Sequence, residues 1–318
     1  MRHTFVSLAV CSWLLHGGAA DPIAQSASLT RVGSIPGPAE LVAVHGRLAY
    51  VAASRTLTIF DISNPSAAAR RGSYTFPDKI WSFTLAGNNV YVAADLAGIG
   101  IVDVSNPAAP ALRGWFKTKG QAHGVAVFEG KAIAADHMMG VYLVDVSDPS
   151  KPVASESFFL EGYPRDVVAN GSLVYAVDSP TGFYVFDLSK TGALEPVASM
   201  QVDANRALGQ LAASASAAGL VCVAGGGVLQ VFDVSKPAAP VLKGTLRLSG
   251  RAQRVSLVET TAYVADSQAG LQVVDVSARS MPTIVGTYKM RGLARDVAAS
   301  GPLVFVATGD EVVILRRD

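Results

Sequence analysis

Apolar residues fall in short runs along this chain, each alternating with small or polar positions and each stopped by glycine, aspartate, asparagine or proline. A period of two over a handful of residues is the pattern of a β-strand. Residues 254–288 show it in full, because Arg254 to Val258, Ala262 to Asp266, Gly270 to Val276 and Ile284 to Tyr288 read as four successive strands. The second of these recurs as LAYVAA (Leu48 to Ala53), VYVAAD (Val90 to Asp95), AIAAD (Ala132 to Asp136), LVYAVD (Leu173 to Asp178) and LVCVAG (Leu220 to Gly225). Small and β-branched residues suit a crowded inner strand. The third recurs as LTIFDIS, IGIVDVS, VYLVDVS, FYVFDLS, LQVFDVS and LQVVDVS, whose aspartates are Asp61, Asp103, Asp145, Asp187, Asp233 and Asp275. Successive aspartates lie 42, 42, 42, 46 and 42 residues apart. A repeat of that length made of short strands predicts an all-β protein, a β-propeller with one four-stranded blade per repeat.

The two ends of the chain complete the count. Arg295 to Leu315 supplies a first, second and third strand and then stops, whereas Ser28 to Ile35 (SLTRVGSI) resembles the outer strands VLKGTL (Val241 to Leu246) and TIVGTY (Thr283 to Tyr288). Six full repeats and one blade assembled from both termini predict seven blades, the ring being closed by pairing an N-terminal strand with the C-terminal blade. The predicted organisation is a signal peptide at 1–20, a short segment at 21–28 and a single propeller domain at 29–318. Asp61 to Pro65, Asp103 to Pro107 and Asp145 to Pro149 each end a third strand with an acceptor side chain, followed by a proline that cannot extend the ladder. Since the same residue recurs in every repeat, these aspartates read as turn-formers rather than as catalytic groups or metal ligands.

Composition adds a compartment. Arg2, the apolar run Phe5 to Leu15 and the small residues Gly18, Ala19 and Ala20 form the three parts of an export signal, and the run is too short to span a bilayer. Cys11 is a poor lipid-attachment site, since bulky Val10 precedes it. Loss of residues 1–20 leaves 25 basic and 25 acidic side chains, and Cys222 as the sole cysteine. A neutral chain has no electrostatic reason to bind nucleic acid or an anionic membrane. A lone thiol forms no intrachain disulfide, so stability rests on the core, which 50% apolar against 16% charged residues supports. The expected location is exported, whether periplasmic, secreted or cell-surface, with no integral membrane segment after signal removal and a monomeric state.

The phrases IGIVD (Ile99 to Asp103), VYLVD (Val141 to Asp145) and LQVVD (Leu271 to Asp275), each followed by Val-Ser, resemble the LVIVD repeat, a family of propeller-forming repeats of exported bacterial and archaeal proteins. The likeness spans essentially the whole chain after residue 20. It implies a propeller in an extracytoplasmic protein and carries no reaction, because the shared residues are structural. Two departures stand out, an Ala/Ser-rich segment at Ala212 to Gly219 in the fifth repeat and Arg316 where the seventh would carry aspartate.

Propellers tend to place their sites at one mouth of the central channel, reached by the start of each innermost strand and by the loop between second and third strands. The strand starts read as Glu40, Trp81, His123, Arg165, Arg254 and Arg295, a set that changes from blade to blade. The ends of the second strands carry Ser54, Asp95, Asp136, Asp178, Gly225, Asp266 and Thr308. Three arginines facing one opening suit a carboxylate or phosphate. The plainer reading pairs Arg165 with Asp178 and Arg254 with Asp266 inside single blades, as ion pairs that stiffen the rim. His123, Asp136 and His137 share a blade without the supporting groups of a metal site, so no metal and no cofactor are expected. Met138 and Met139 read as loop contacts. Gly98-Ile99-Gly100 and Gly225-Gly226-Gly227 read as turns rather than phosphate cradles, and no nucleophile elbow occurs.

The expected function is a non-catalytic binding or scaffold module that holds a protein segment, glycan or small anion at the mouth formed by Trp81, His123, Arg165, Arg254 and Arg295. The alternative is an extracytoplasmic hydrolase or lyase, with His123 as general base, Asp136 orienting it and Arg165 stabilising developing negative charge.

Overall fold

The computed structural model describes residues 28–160, 162–179, 182–189, 194–200, 212–216 and 219–317. The expected export signal at 1–20 with Cys11, the segment 21–27 and part of the Ala/Ser-rich segment lie outside the described residues. Among them, 28 strands form seven separate four-stranded antiparallel sheets. One 3-10 turn, Pro65–Ala67, is the single helical element there, so no helix is long and apolar enough to cross a membrane.

Blade one runs from the axis outward as Leu41–His45, Leu48–Ala53, Thr56–Asp61 and Ala69–Thr75, and five further blades repeat this order. Their innermost strands, Ser82–Ala86, Ala122–Phe128, Tyr163–Asn170, Ala212–Ser216 and Arg254–Val258, contact one another around the channel. Blade seven is assembled as predicted. Asp296–Ser300, Leu303–Ala307 and Gly309–Arg317 come from the C-terminal part, and Leu29–Ala39 pairs antiparallel with the last of them. That outer strand runs past Ile35 because a register shift between Pro36 and Ala39 absorbs the proline pair. Arg316 faces Leu303 as Asp61 faces Leu48, which places it at the aspartate position of the repeat.

The near-continuous apolar runs of the middle strands follow from the ring. Each blade is covered on both faces by its neighbours, so alternate residues of one strand serve two seams: Val90 and Val92 pack toward blade one, Tyr91 and Ala93 toward blade three. Seven apolar clusters result, one between each adjacent pair of blades. Cys222 is fully buried in one of them, and burial pushes its thiol up to about 12.

The repeated aspartates close the turns after the third strands. Asp61, Asp103, Asp145, Asp187, Asp233 and Asp275 each accept the N–H of the serine two residues on, at 2.8 to 3.0 Å. These turns lie at the opposite face from the starts of the innermost strands. They also receive the neighbouring blade. A Cβ on Gly33, Gly72 or Gly114 of the outer strands would stand 1.9, 2.5 or 2.0 Å from the carbonyl oxygen of Pro65, Pro107 or Pro149 in the next blade.

Candidate binding site at one mouth of the channel

Register decides what faces the mouth. Arg254 pairs with Ala265, Asp296 with Ala307 and Asp166 with Val177, so these three share one level, a residue below Gln253, Arg295 and Arg165. Read from the sequence, Arg254 stands level with the other two arginines; in the structure it sits one step deeper and Gln253 holds the rim position. The offset is visible in the phrases Arg165-Asp166-Val167 and Arg295-Asp296-Val297 set against Gln253-Arg254-Val255.

From that level Arg254 crosses the channel. Its Nη1 donates to Asp166 of blade four at 3.0 Å, and its Nη2 donates to the Trp81 carbonyl of blade two at 2.9 Å. Asp296 of blade seven accepts the N–H groups of Val42 in blade one and of its own neighbour Val297, both at 2.8 Å. Burial opposes the Arg254 charge, but the carboxylates of Asp166 and Asp296 outweigh it and raise its pKa above the ordinary arginine value. Burial lifts Asp296 to about 6 in spite of Arg254 and its two N–H donors. Arg254 lines both a cavity of about 380 Å³ along the channel and a smaller one of about 90 Å³ bounded by Glu40, Lys79, Trp81, Gln253 and Arg295. The cluster is therefore a floor, and the mouth is a cup rather than an open pore.

Beside the cup, rings from three blades stack in a row. Centroids are 4.5 Å apart from Trp81 to His123, 4.4 Å from His123 to His137 and 4.9 Å from His137 to Tyr163. The Lys79 ammonium lies 3.9 Å from the Trp81 centroid, over its ring. Ring faces are thus occupied from Trp81 through His137, which leaves the edges to act. Trp81 Nε1, His123 Nε2, His137 Nδ1 and Arg165 Nε are buried there without a hydrogen-bond partner among the described residues. Burial first, and then repulsion from a protonated His137 and from the charges of Arg165, Lys79 and Arg254, hold His123 down at about 3. Burial and Arg165 lower His137 as well, so both imidazoles are neutral at pH 7 in a positive field. Burial also lowers the Arg165 pKa.

The aspartates that end the second strands serve the backbone. Asp136 accepts from the Gly120 N–H at 2.6 Å and the Met138 N–H at 3.0 Å, Asp178 from Gly162 at 3.1 Å and Asp266 from Gly250 at 2.9 Å. Each glycine precedes its aspartate by 16 residues, a spacing present in the sequence that identifies the pair. Asp136 thereby uses both oxygens on backbone N–H groups, and no hydrogen bond joins it to His123 among the described residues. The expected Arg254–Asp266 pair is replaced by Arg254–Asp166, because Arg254 points across the channel instead of along its own blade. Asp178 takes the Gly162 N–H, and Arg165 Nε finds no hydrogen-bond partner among the described residues. No group of three or more His, Cys, Asp or Glu placed to hold a metal ion occurs among the described residues. Sequence reading brings forward Trp81, His123, Arg165 and Arg295, all at this mouth, and misses Lys79, Tyr163, Asp166 and Asp296.

The fold is similar to solved propellers. A chain of the structure titled "Crystal Structure of Mitotic Checkpoint Complex" superposes with a TM-score of 0.72 at 10% identity over 98% of this chain and 99% of that one. The Neurospora crassa Pan2 WD40 domain gives 0.72 at 13% identity over 92% and 96%, and Chaetomium thermophilum Raptor gives 0.73 at 13% over 91% of this chain but 29% of its own. At these identities the likeness concerns the fold alone. No curated protein matches the sequence. The family model for the LVIVD repeat matches residues 36–75, 79–118, 119–159, 219–247, 249–290 and 291–315. The longest stretch it leaves unmatched, 160–218, holds Tyr163, Arg165 and Asp166, which supply one end of the ring row and one side of the floor. Six repeats covering more than half of its length make this chain a member of the LVIVD-repeat family.

Proposed function

We propose that this chain is an exported, non-catalytic binding module that holds an anionic ligand at the cupped mouth formed by Trp81, His123, Arg165 and Arg295, with Lys79 and His137 beside them. The observation that carries this reading is the row of buried nitrogens, Trp81 Nε1, His123 Nε2, His137 Nδ1 and Arg165 Nε, that lack a hydrogen-bond partner among the described residues. A buried donor left unsatisfied costs about 1–3 kcal/mol, which a ligand supplying acceptors recovers. Indole and guanidinium N–H groups only donate, so such a ligand brings acceptors. Lys79 and Arg165 near His123 give the mouth a positive potential, so an acceptor carrying negative charge is favoured. The floor beneath holds five blades in fixed relation, which preorganises the cup and reduces the cost of ordering it on binding. Export rests on the signal read at 1–20.

A thermal-shift screen of carboxylates, phosphates, sulfated glycans and peptides identifies a ligand to test. Replacing Arg165 and Arg295 together with Gln is then expected to weaken its binding by about 2 kcal/mol or more while barely changing the melting temperature. A large fall in melting temperature with unchanged affinity would mean that these arginines only hold blades, and would overturn the assignment.

A further inference from the structure

Building on that mouth reading, we propose that its ligand is an acidic peptide segment of a partner protein, laid across blades two to four with apolar side chains on an exposed patch beside the cup. Leu96, Met138, Phe159 and Tyr163 are 59%, 60%, 65% and 51% exposed. Leu96 and Met138 lie in turns between second and third strands, Phe159 on the link into blade four and Tyr163 at the start of its innermost strand, all at the mouth. His137, next to Met138, stacks on Tyr163. A Cβ on Gly140 would stand 2.8 Å from Phe159 Cα, which places Phe159 against the turn that carries Met138. Asp95, next to Leu96, accepts from the Gln121 side chain, and the Gln121 carbonyl accepts the His137 N–H. These neighbours place the four side chains along one stretch of the mouth from blade two to blade four. Other exposed large apolar residues, such as Leu112, Val153, Val241 and Ile284, lie on the outermost strands of different blades, the scattered pattern that needs no partner.

Charge complementarity selects the occupant. Lys117 and Lys119 are exposed on the link into blade three, and Lys79 and Arg165 stand at the cup; none of the four is ion-paired among the described residues. Nearby Asp78 and Asp95 already accept from the Lys79 N–H and from Gln121. Apolar anchors flanked by cations match a chain that alternates large apolar residues with Asp or Glu. A glycan is disfavoured at the cup, because sugar rings pack on open aromatic faces and the faces from Trp81 to His137 are covered. A small anion would fill the cup and leave the patch exposed. A bilayer surface would cover the patch, yet a flat layer of headgroups does not reach the recessed nitrogens, whereas an acidic side chain does.

The test pans a random-peptide display library on the whole protein and measures binding of the enriched peptides by fluorescence anisotropy, beside citrate, inorganic phosphate and phosphatidylcholine vesicles containing phosphatidylglycerol. Enriched peptides are expected to combine Asp or Glu with Leu, Phe or Met, and to lose about ten-fold in affinity when their acids become Asn or Gln. Met138→Ser with Phe159→Ser, both at exposed positions, is expected to weaken them about ten-fold with an unchanged melting temperature, and Arg165→Gln to do likewise. No enrichment, or capture of the vesicles alone, overturns the proposal. Binding that is lost with Arg165→Gln but indifferent to the Met138 and Phe159 changes overturns peptide docking on the patch and leaves the anion-binding mouth standing. Indifference to Arg165→Gln by every peptide and small anion removes both.

Discussion

Asp296 shows how one residue ties the site to the stability of the ring. Burial raises its pKa from 3.8 to about 6, so between those values the folded chain binds more protons than the unfolded one. Stability from this group is therefore gained as pH falls through 6 and lost as pH rises. His123 acts in the opposite sense: its folded pKa is depressed below 6.5, so its contribution is complete above that value and is lost as the solution is acidified. Wild-type stability alone mixes the two, but comparison with Asp296→Asn cancels the histidine. The wild type is expected to gain about 1 kcal/mol over Asp296→Asn between pH 7 and pH 5. Urea melts of both proteins at the two pH values measure it, and a constant difference refutes the buried carboxylic acid. The sequence offers the residues of this cluster but not their meeting. Arg254 is legible as a mouth arginine, while its partner Asp166 is 88 positions away, and only the ring brings blades four and six across one channel.

The strands were the most legible elements, because each carries its own period and its own stop. The expected strand Arg254 to Val258 is found with those bounds, and the expected Ile284 to Tyr288 begins one residue earlier. The row of rings was not legible, since Trp81, His123, His137 and Tyr163 belong to three blades and nothing in their spacing orders them. Between these extremes lie the outer-strand glycines. Their recurrence in ARRGS, ALRGW and VLKGT is visible in the sequence, but the reason is a neighbour: the turn of the next blade occupies the space a side chain would take. Gly114 is a clear case, with Pro149 O at 2.0 Å and Pro152 Cδ at 3.1 Å from the absent Cβ. Backbone oxygen cannot rotate away as a side chain can, so Gly114→Ala must part blades two and three locally. A loss of about 1–3 kcal/mol in chemical denaturation is expected, with ligand binding at the far mouth unchanged. An unaltered denaturation midpoint would show that the blades are not in contact there.

At the scale of the molecule two devices hold the ring shut, and they differ in kind. The Arg254 cluster fastens blades one, two, four, six and seven around the channel, while Leu29–Ala39 completes blade seven from the far end of the chain. The second device closes the circle. Its strand buries Ile35 and Ala39 in the seam between blades seven and one, and it covers the edge of Gly309–Arg317. Its one ion pair, Arg31 with Glu311 at 2.7 Å, is exposed on both sides and adds little. A chain beginning at Glu40 loses both the seam and the cover, so two effects are expected together: a fall in stability of several kcal/mol and self-association through the bare strand edge. Ile35→Ala separates them, because it empties part of the seam, at about 2–5 kcal/mol, but leaves the edge paired. Light scattering and thermal melts on the two variants are expected to show a destabilised monomer for Ile35→Ala and a destabilised, associating protein for the truncation. A truncated chain that stays monomeric with an unchanged melting temperature would mean that the terminal strand does not clasp the ring.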